Sequence, residues 1–385
     1  MKAAAILLSS LFVIGTAAPA RAQLGALGRI KKAADKAADA KNKYDDLNIT
    51  DEEERQLGDK VSEKLREHFG VYQNEAVTKY VSLVGTALAL SSTRATLNWR
   101  FIVLDTDGVN AYAAPGGVVH VTRGLLGLMK NESELAGVLG HEITHVTAKH
   151  TVRAIQKSKG VTMASSEVGP GGNLRQSFLS KFGEVIFTRV YEGEFSREDE
   201  NDADEGGVRL ANTLGYAPNG MVDVLKKIDA RNGSREDRNG LFASHPATAD
   251  RIEKLEKLIK ADKLTGAATV EARYKATITF DAKPASEIAV DDSGAAGLAS
   301  GDKKKDDDKK ADGKDKDKKD EPKKGRFGLG GITGGKQTQA AQQTASAGAR
   351  GGVPDRDAKG GPNKNALVVK VSAAELEAFK KGIAS

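Results

Sequence analysis

The sequence predicts an α+β fold: a mostly helical domain with a small sheet, followed by a long, largely disordered C-terminal region. Three observations carry this. Apolar residues recur at helical spacing through most of residues 50–262, whereas period-two alternation is confined to short runs near 97–103 and 118–122. Residues 301–326 hold eleven Lys, one Arg, eight Asp and one Glu, a mixed-charge run with too little apolar surface to build a core. Glycine-, glutamine- and alanine-rich sequence then continues to about residue 365.

The order of segments follows from composition. Lys2, the apolar stretch Ala3 to Ala18 and the small-x-small motif Ala20-Arg21-Ala22 before Gln23 read as a cleaved secretory signal over 1–22. The apolar run is short for a spanning helix, so no integral membrane anchor is expected after cleavage, and a bacterial periplasmic location is. Residues 23–49 are Ala- and Lys-rich and read as a solvated leader. The alternative is a membrane-surface helix and hence peripheral membrane contact.

Thr50 with Glu53 forms a capping-box signature, and Leu57, Val61, Leu65 and Phe69 follow every four residues. A second helix is expected from Glu75 to Leu90. Leu97, Trp99, Phe101 and Val103 alternate as a strand, and Val118–Thr122 reads as another. Pro115-Gly116-Gly117 between them suits an edge or bulge. A short helix is expected over Gly124–Met129, then a longer one capped by Asn131 or Ser133 and reaching about Gln156. Residues 159–181 read as a loop. Ser196 leads a helix that stops at Gly215, Pro218 opens another, and a third follows Pro246. Beyond residue 262, a strand-containing extension (263–300) is read from the alternation of Tyr274, Ala276, Ile278 and Phe280. After the low-complexity region (301–365), the terminal segment (366–385) holds Leu367-Val368-Val369 and a short helix over Ala373–Lys381, able to dock back on the 274–280 strand.

Composition narrows the chemistry. The chain has no cysteine, which excludes thiolate ligands, disulfides and a thiol nucleophile. The net charge of +6 is dispersed and does not interleave with aromatics, so nucleic acid is not expected as a partner. The informative stretch is His141-Glu142-Ile143-Thr144-His145. Two histidines four apart lie on one face of a helix and can meet one metal ion, and the glutamate between them can act as general base. This is the zinc-hydrolase pattern, and it predicts Zn2+ as cofactor.

A third protein ligand is needed. His150 is near in sequence, but nine residues along an unbroken helix is about 900°, which turns it away from His141. The longer three-histidine motif also fails, since Ala148 and Thr151 occupy its remaining positions. Glu200 and Asp204 share a helical face, so the first could bind metal and the second could orient a ligand histidine. Spacing alone leaves Glu198 as a rival and leaves open that Glu198–Glu205 is only an acidic helix start.

Four ordered segments resemble the gluzincin metallopeptidase family of the CAAX prenyl endopeptidases and HtpX proteases, in its soluble periplasmic branch. They are Asn110-Ala111 with Pro115-Gly116-Gly117, then the histidine motif, then Ser196-Arg197 with Glu200 and Ala203-Asp204, then His245-Pro246 with Arg251. The resemblance spans about residues 50–260. It implies a zincin-like metalloprotease domain over 50–262, with zinc on His141, His145 and Glu200. Glu142 is implied as base and Asp204 as the group behind a ligand. It further implies a cleft strand at Asn110, Ala111, Gly116, Gly117 and Val118 that binds extended peptide, and His245 near the metal as a transition-state or resting-state contact. Arg251 is left as either a substrate contact or a carboxylate partner. The expected activity is zinc-dependent endopeptidase action on unfolded or misassembled envelope proteins. A chaperone-like envelope binding protein with repressed or absent proteolysis is the alternative.

Overall fold

Capping and burial explain where each helix begins. In the computed structural model, helix α1 (Asp51–Phe69) starts at a complete Thr50–Glu53 capping box, and its four-residue stripe Leu57, Val61, Leu65 and Phe69 is buried. Helix α2 (Glu75–Leu90) is capped by Asn74 and buries Val77, Tyr80, Val81, Val84 and Leu88. The structure describes residues 49–157, 186–188, 190–191, 195–232, 248–284, 287, 290–291, 342–343, 363–367 and 369–383. The signal and leader, the 159–181 loop, His245 and most of the low-complexity region lie outside the described residues.

Three strands make the sheet: β1 (Arg100–Leu104), β2 (Ala111–Ala114) and β3 (Val118–Thr122), in the order β1-β3-β2. β1 runs parallel to β3 with Phe101 opposite Val119; β2 runs antiparallel to β3 with Tyr112 opposite His120. Pro115-Gly116-Gly117 is therefore the turn of a β2–β3 hairpin. Gly116 and Gly117 have φ of 73° and 98°, and a Cβ on Gly116 would lie 2.5 Å from Arg55 Cα. Only glycine fits there. Strand β1 begins at Arg100, three residues later than the alternation suggests.

Thr122 closes β3 and caps helix α3 (Arg123–Leu128), and Asn131 caps helix α4 (Glu132–Thr147), which carries the two paired histidines. Here the structure departs from a helix reaching Gln156. The cap at Ala148 is followed by Lys149 at φ 55°, and a separate helix α5 (His150–Lys157) starts at the next residue. Helices α6 (Arg197–Thr213), α7 (Gly220–Asn232) and α8 (Thr248–Ala261) complete the domain around α4. Among the described residues no helix is long and apolar enough to cross a membrane.

The region read as a strand near 274–280 is helix α9 (Glu271–Thr277). It does receive the C-terminal segment, as helix α10 (Ala373–Lys381), which packs on α2 and on Arg273. The junction centres on Glu132 in the first turn of α4. This fully buried carboxylate accepts bonds from Tyr80 Oη (2.6 Å), Tyr216 Oη (2.6 Å) and Arg273 Nε (2.7 Å). Arg273 also lies over the Phe379 ring at 4.0 Å. Removing one partner of a buried ion pair strands the other. Arg273→Ala is therefore expected to lower stability by about 3 kcal/mol, the lower end of that class because both tyrosine hydroxyls remain. Urea unfolding measures it.

Candidate metal centre

The site is made where α4 lies along α6. Two close backbone approaches allow this. A Cβ on Gly140 would sit 2.7 Å from Gly207 O, and a Cβ on Gly207 would sit 2.5 Å from His141 N. The helices thus touch backbone to backbone beside His141, which brings the carboxylates one and two turns earlier on α6 to the histidines. Gly207→Ala has only backbone to push against. It is expected to cost about 3 kcal/mol, the upper range for overpacking, and to pull Glu200 and Asp204 from the histidines. Denaturant unfolding together with zinc titration checks both effects; wild-type values for both would contradict it.

Three side chains converge. His145 Nε2 lies 3.1 Å from His141 Nε2, and Glu200 Oε2 and Oε1 lie 3.7 Å and 3.5 Å from those same two nitrogens. Among the described residues they form the one group of His, Asp or Glu donors able to hold a metal ion, and all three are buried. Tetrahedral zinc with bonds of about 2.0–2.1 Å needs donors about 3.3 Å apart, within the span of these separations. Burial holds His141 down to about 3, with His145 adding to that and the bond to Asp204 opposing it, so the ring is neutral at physiological pH, as a ligand must be.

The groups behind the donors fix their orientation. His141 Nδ1 donates to Asp204 Oδ1 at 3.0 Å, which leaves Nε2 bare toward Glu200 and His145. Arg251, itself buried, donates from Nε and Nη2 to Asp204 at 2.7 and 2.6 Å and reaches Glu200 Oε2 from Nη1 at 3.1 Å. All three guanidinium nitrogens therefore face carboxylates, the second of the two positions the sequence allows it. Burial would raise Asp204, but Arg251 outweighs it and keeps this carboxyl below its usual range. Burial, reinforced by the Glu200 charge, pushes Glu142 up to about 7, against the opposing pull of His145 and Arg251. Glu198 lies on the same helix but outside this convergence.

Sequence reasoning missed several neighbours. His150, set aside on the premise of an unbroken helix, is buried with its Nδ1 3.0 Å from His145 Nδ1. The turn at Lys149 puts it there, and no glycine, proline or asparagine marks that turn. The Phe195 ring lies tilted against His145, ring centroids 4.2 Å apart. Buried Glu54 of α1 accepts from Gly116 N (3.1 Å), Arg94 (2.8 Å) and Lys149 (3.1 Å), and so ties the hairpin turn to the end of α4. Its burial was not readable from an amphipathic stripe that counts it as an exposed acid.

The expected cleft-strand residues divide. Ala111 lies on β2, the sheet edge, while Asn110 donates its N–H to Thr122. Gly116, Gly117 and Val118 are engaged elsewhere: Gly116 with Glu54, Gly117 O with Arg100 N, and Val118 in register with Arg100. The residues of this segment that lie near His145 are Ala113 and Pro115.

Residues 75–259 match the model of a family described as Peptidase family M48. The mitochondrial metalloendopeptidase OMA1 of Schizosaccharomyces pombe is 29% identical over 223 residues, covering 56% of this chain and 64% of that protein. The Beta-barrel assembly-enhancing protease of Escherichia coli strain K12 is 29% identical over 212 residues, 52% of this chain and 42% of that one. Metalloprotease LoiP of the same organism is 28% identical over 193 residues, 49% and 73% respectively. The chain thus spans less than two thirds of the first two of these relatives.

Proposed function

From the match of residues 75–259 to peptidase family M48 and the geometry of the site, we propose that the chain is an exported zinc-dependent endopeptidase of that family acting on unfolded or misassembled proteins of the cell envelope. The observation that carries the reading is the convergence of His141, His145 and Glu200 within 4.8 Å of one another beside Glu142. The three would hold zinc. Bound there, zinc would supply a Lewis acid able to polarise a scissile carbonyl and to lower the pKa of a water toward about 7.

The chain's own groups do the remaining work. Glu142, buried beside the two histidines, is placed to take a proton from the attacking water and to return it to the leaving amine. Asp204 fixes the His141 tautomer. Arg251 balances the two buried carboxylates and is read as a positioning residue. The edge of β2, next to Ala113 and Pro115, is the candidate rail for an extended peptide by strand addition. His245, outside the described residues, keeps its proposed role near the metal. The periplasmic location rests on the signal-like N-terminus, and the substrate class draws on the name of the β-barrel assembly-enhancing relative.

The test is hydrolysis of casein and of an unfolded outer-membrane protein by the mature chain, before and after chelation and on zinc re-addition. Cleavage that is lost and then restored supports the reading. Cleavage indifferent to chelation overturns it, and chelator-sensitive binding without cleavage points to the chaperone-like alternative.

A further inference from the structure

We infer that His150 is a positioning residue for the proposed metal site: it holds His145 in the tautomer that presents Nε2, with Asp202 behind it, as Asp204 does for His141. The inference rests on the zinc reading above. His145 faces His141 and Glu200 through Nε2, at 3.1 and 3.5 Å. Its Nδ1 lies 3.0 Å from His150 Nδ1, and His150 Nε2 lies 3.0 Å from Asp202 Oδ2 and 3.7 Å from Asp199 Oδ1.

Only one proton arrangement uses these contacts and leaves a lone pair for the metal. A carboxylate cannot donate, so the proton between His150 and Asp202 sits on His150 Nε2. Neutral His150 then has a bare Nδ1, which can only accept. His145 must therefore carry its proton on Nδ1 and donate, and its Nε2 is left bare beside Glu200. The two ligand histidines are thus served by two separate relays from α6, one ending at Asp204 and one passing through His150 to Asp202.

The geometry depends on the break after α4. Lys149 at φ 55° turns the chain so that His150, the first residue of α5, comes back against His145 rather than facing away. Lys149 is itself held by Glu54 and Asp51, at 3.1 and 3.0 Å. His150 is 1% exposed, so water does not compete for its Nδ1. Asp202 is 60% exposed, so its share of the relay is weaker than that of buried Asp204.

The experiment measures zinc affinity of the full chain by chelator competition for wild type, His150→Phe and His150→Gln, with urea unfolding of each metal-free protein alongside. Loss of such a group behind a ligand is expected to weaken zinc about 10–100-fold in His150→Phe. Glutamine offers a carbonyl acceptor to His145 and an amide donor to Asp202, and is expected to recover most of that loss. A role in packing alone would instead favour the phenylalanine. Wild-type affinity in His150→Phe, or no recovery with glutamine, overturns the inference. A wild-type chain that binds no zinc defeats the underlying metal reading. Independently of either, nitrogen-15 spectra of the metal-free wild-type imidazoles are expected to show the proton on His145 Nδ1 and His150 Nε2. A proton on His150 Nδ1 overturns the relay even if a variant fails to fold.

Discussion

Glu142→Gln is expected to abolish peptide hydrolysis while leaving the fold and the zinc site in place. The side chain is buried on the face of α4 beside the two histidines, and glutamine has nearly its volume. What the substitution removes is the carboxylate assigned to accept and return the proton. General base and acid catalysis contributes roughly 10²–10⁴ in rate, and this one group is assigned both proton transfers, so kcat is expected to fall by about 10⁴. KM is expected to change little, because the carboxyl moves a proton and does not hold the peptide. Stability should be preserved, since the change also takes a like charge away from Glu200. Steady-state kinetics with a fluorogenic peptide, and unfolding of both proteins, test this. Retention of more than about a tenth of wild-type kcat would remove Glu142 from the role given to it.

Arg251→Ala carries the second large effect, and it falls on stability rather than rate. The guanidinium sits 3% exposed against Glu200 and Asp204, and among the described residues no other Lys or Arg pairs with Asp204. Burial alone would lower Arg251, but Asp204 and then Glu200 outweigh it and hold it firmly charged. Removing the cation leaves two carboxylates in a buried site, a change that costs about 3–5 kcal/mol. Arg251→Lys keeps the charge but loses the fork that spans both oxygens of Asp204, so it should fall between alanine and wild type. The loss should be largest in the metal-free protein, which lacks the zinc charge beside Glu200. Urea midpoints for the three proteins, with and without zinc, measure it. An alanine variant within about 1 kcal/mol of wild type, but with impaired KM, would return Arg251 to the substrate-contact role.

How far the sequence could be read depends on the range of the interaction. The histidine pair is legible because one helical turn fixes it locally, and Glu200 with Asp204 share a face for the same reason. Their meeting with His141 is not local: it depends on Gly140 and Gly207 letting two helices touch, and an isolated glycine announces no partner. His150 was misplaced because Lys149 adopts a left-handed conformation with none of the residues that usually signal one. The run Tyr274, Ala276, Ile278, Phe280 misled for a different reason. Tyr274 and Ile278 are also one helical turn apart, and they alone of the four are buried, with Ala276 exposed. The docking of α10 could be suggested only loosely, since its contacts with Lys79 and Arg273 join residues nearly three hundred and just over one hundred positions apart.

The most direct test of the central claim is a crystal structure of the zinc-loaded chain with anomalous data at the zinc edge. One zinc ion is expected per chain, bound by Nε2 of His141, Nε2 of His145 and a carboxylate oxygen of Glu200, with Glu142 beside it and uncoordinated. Zinc held by Glu142, or by a set that omits Glu200, would contradict the account.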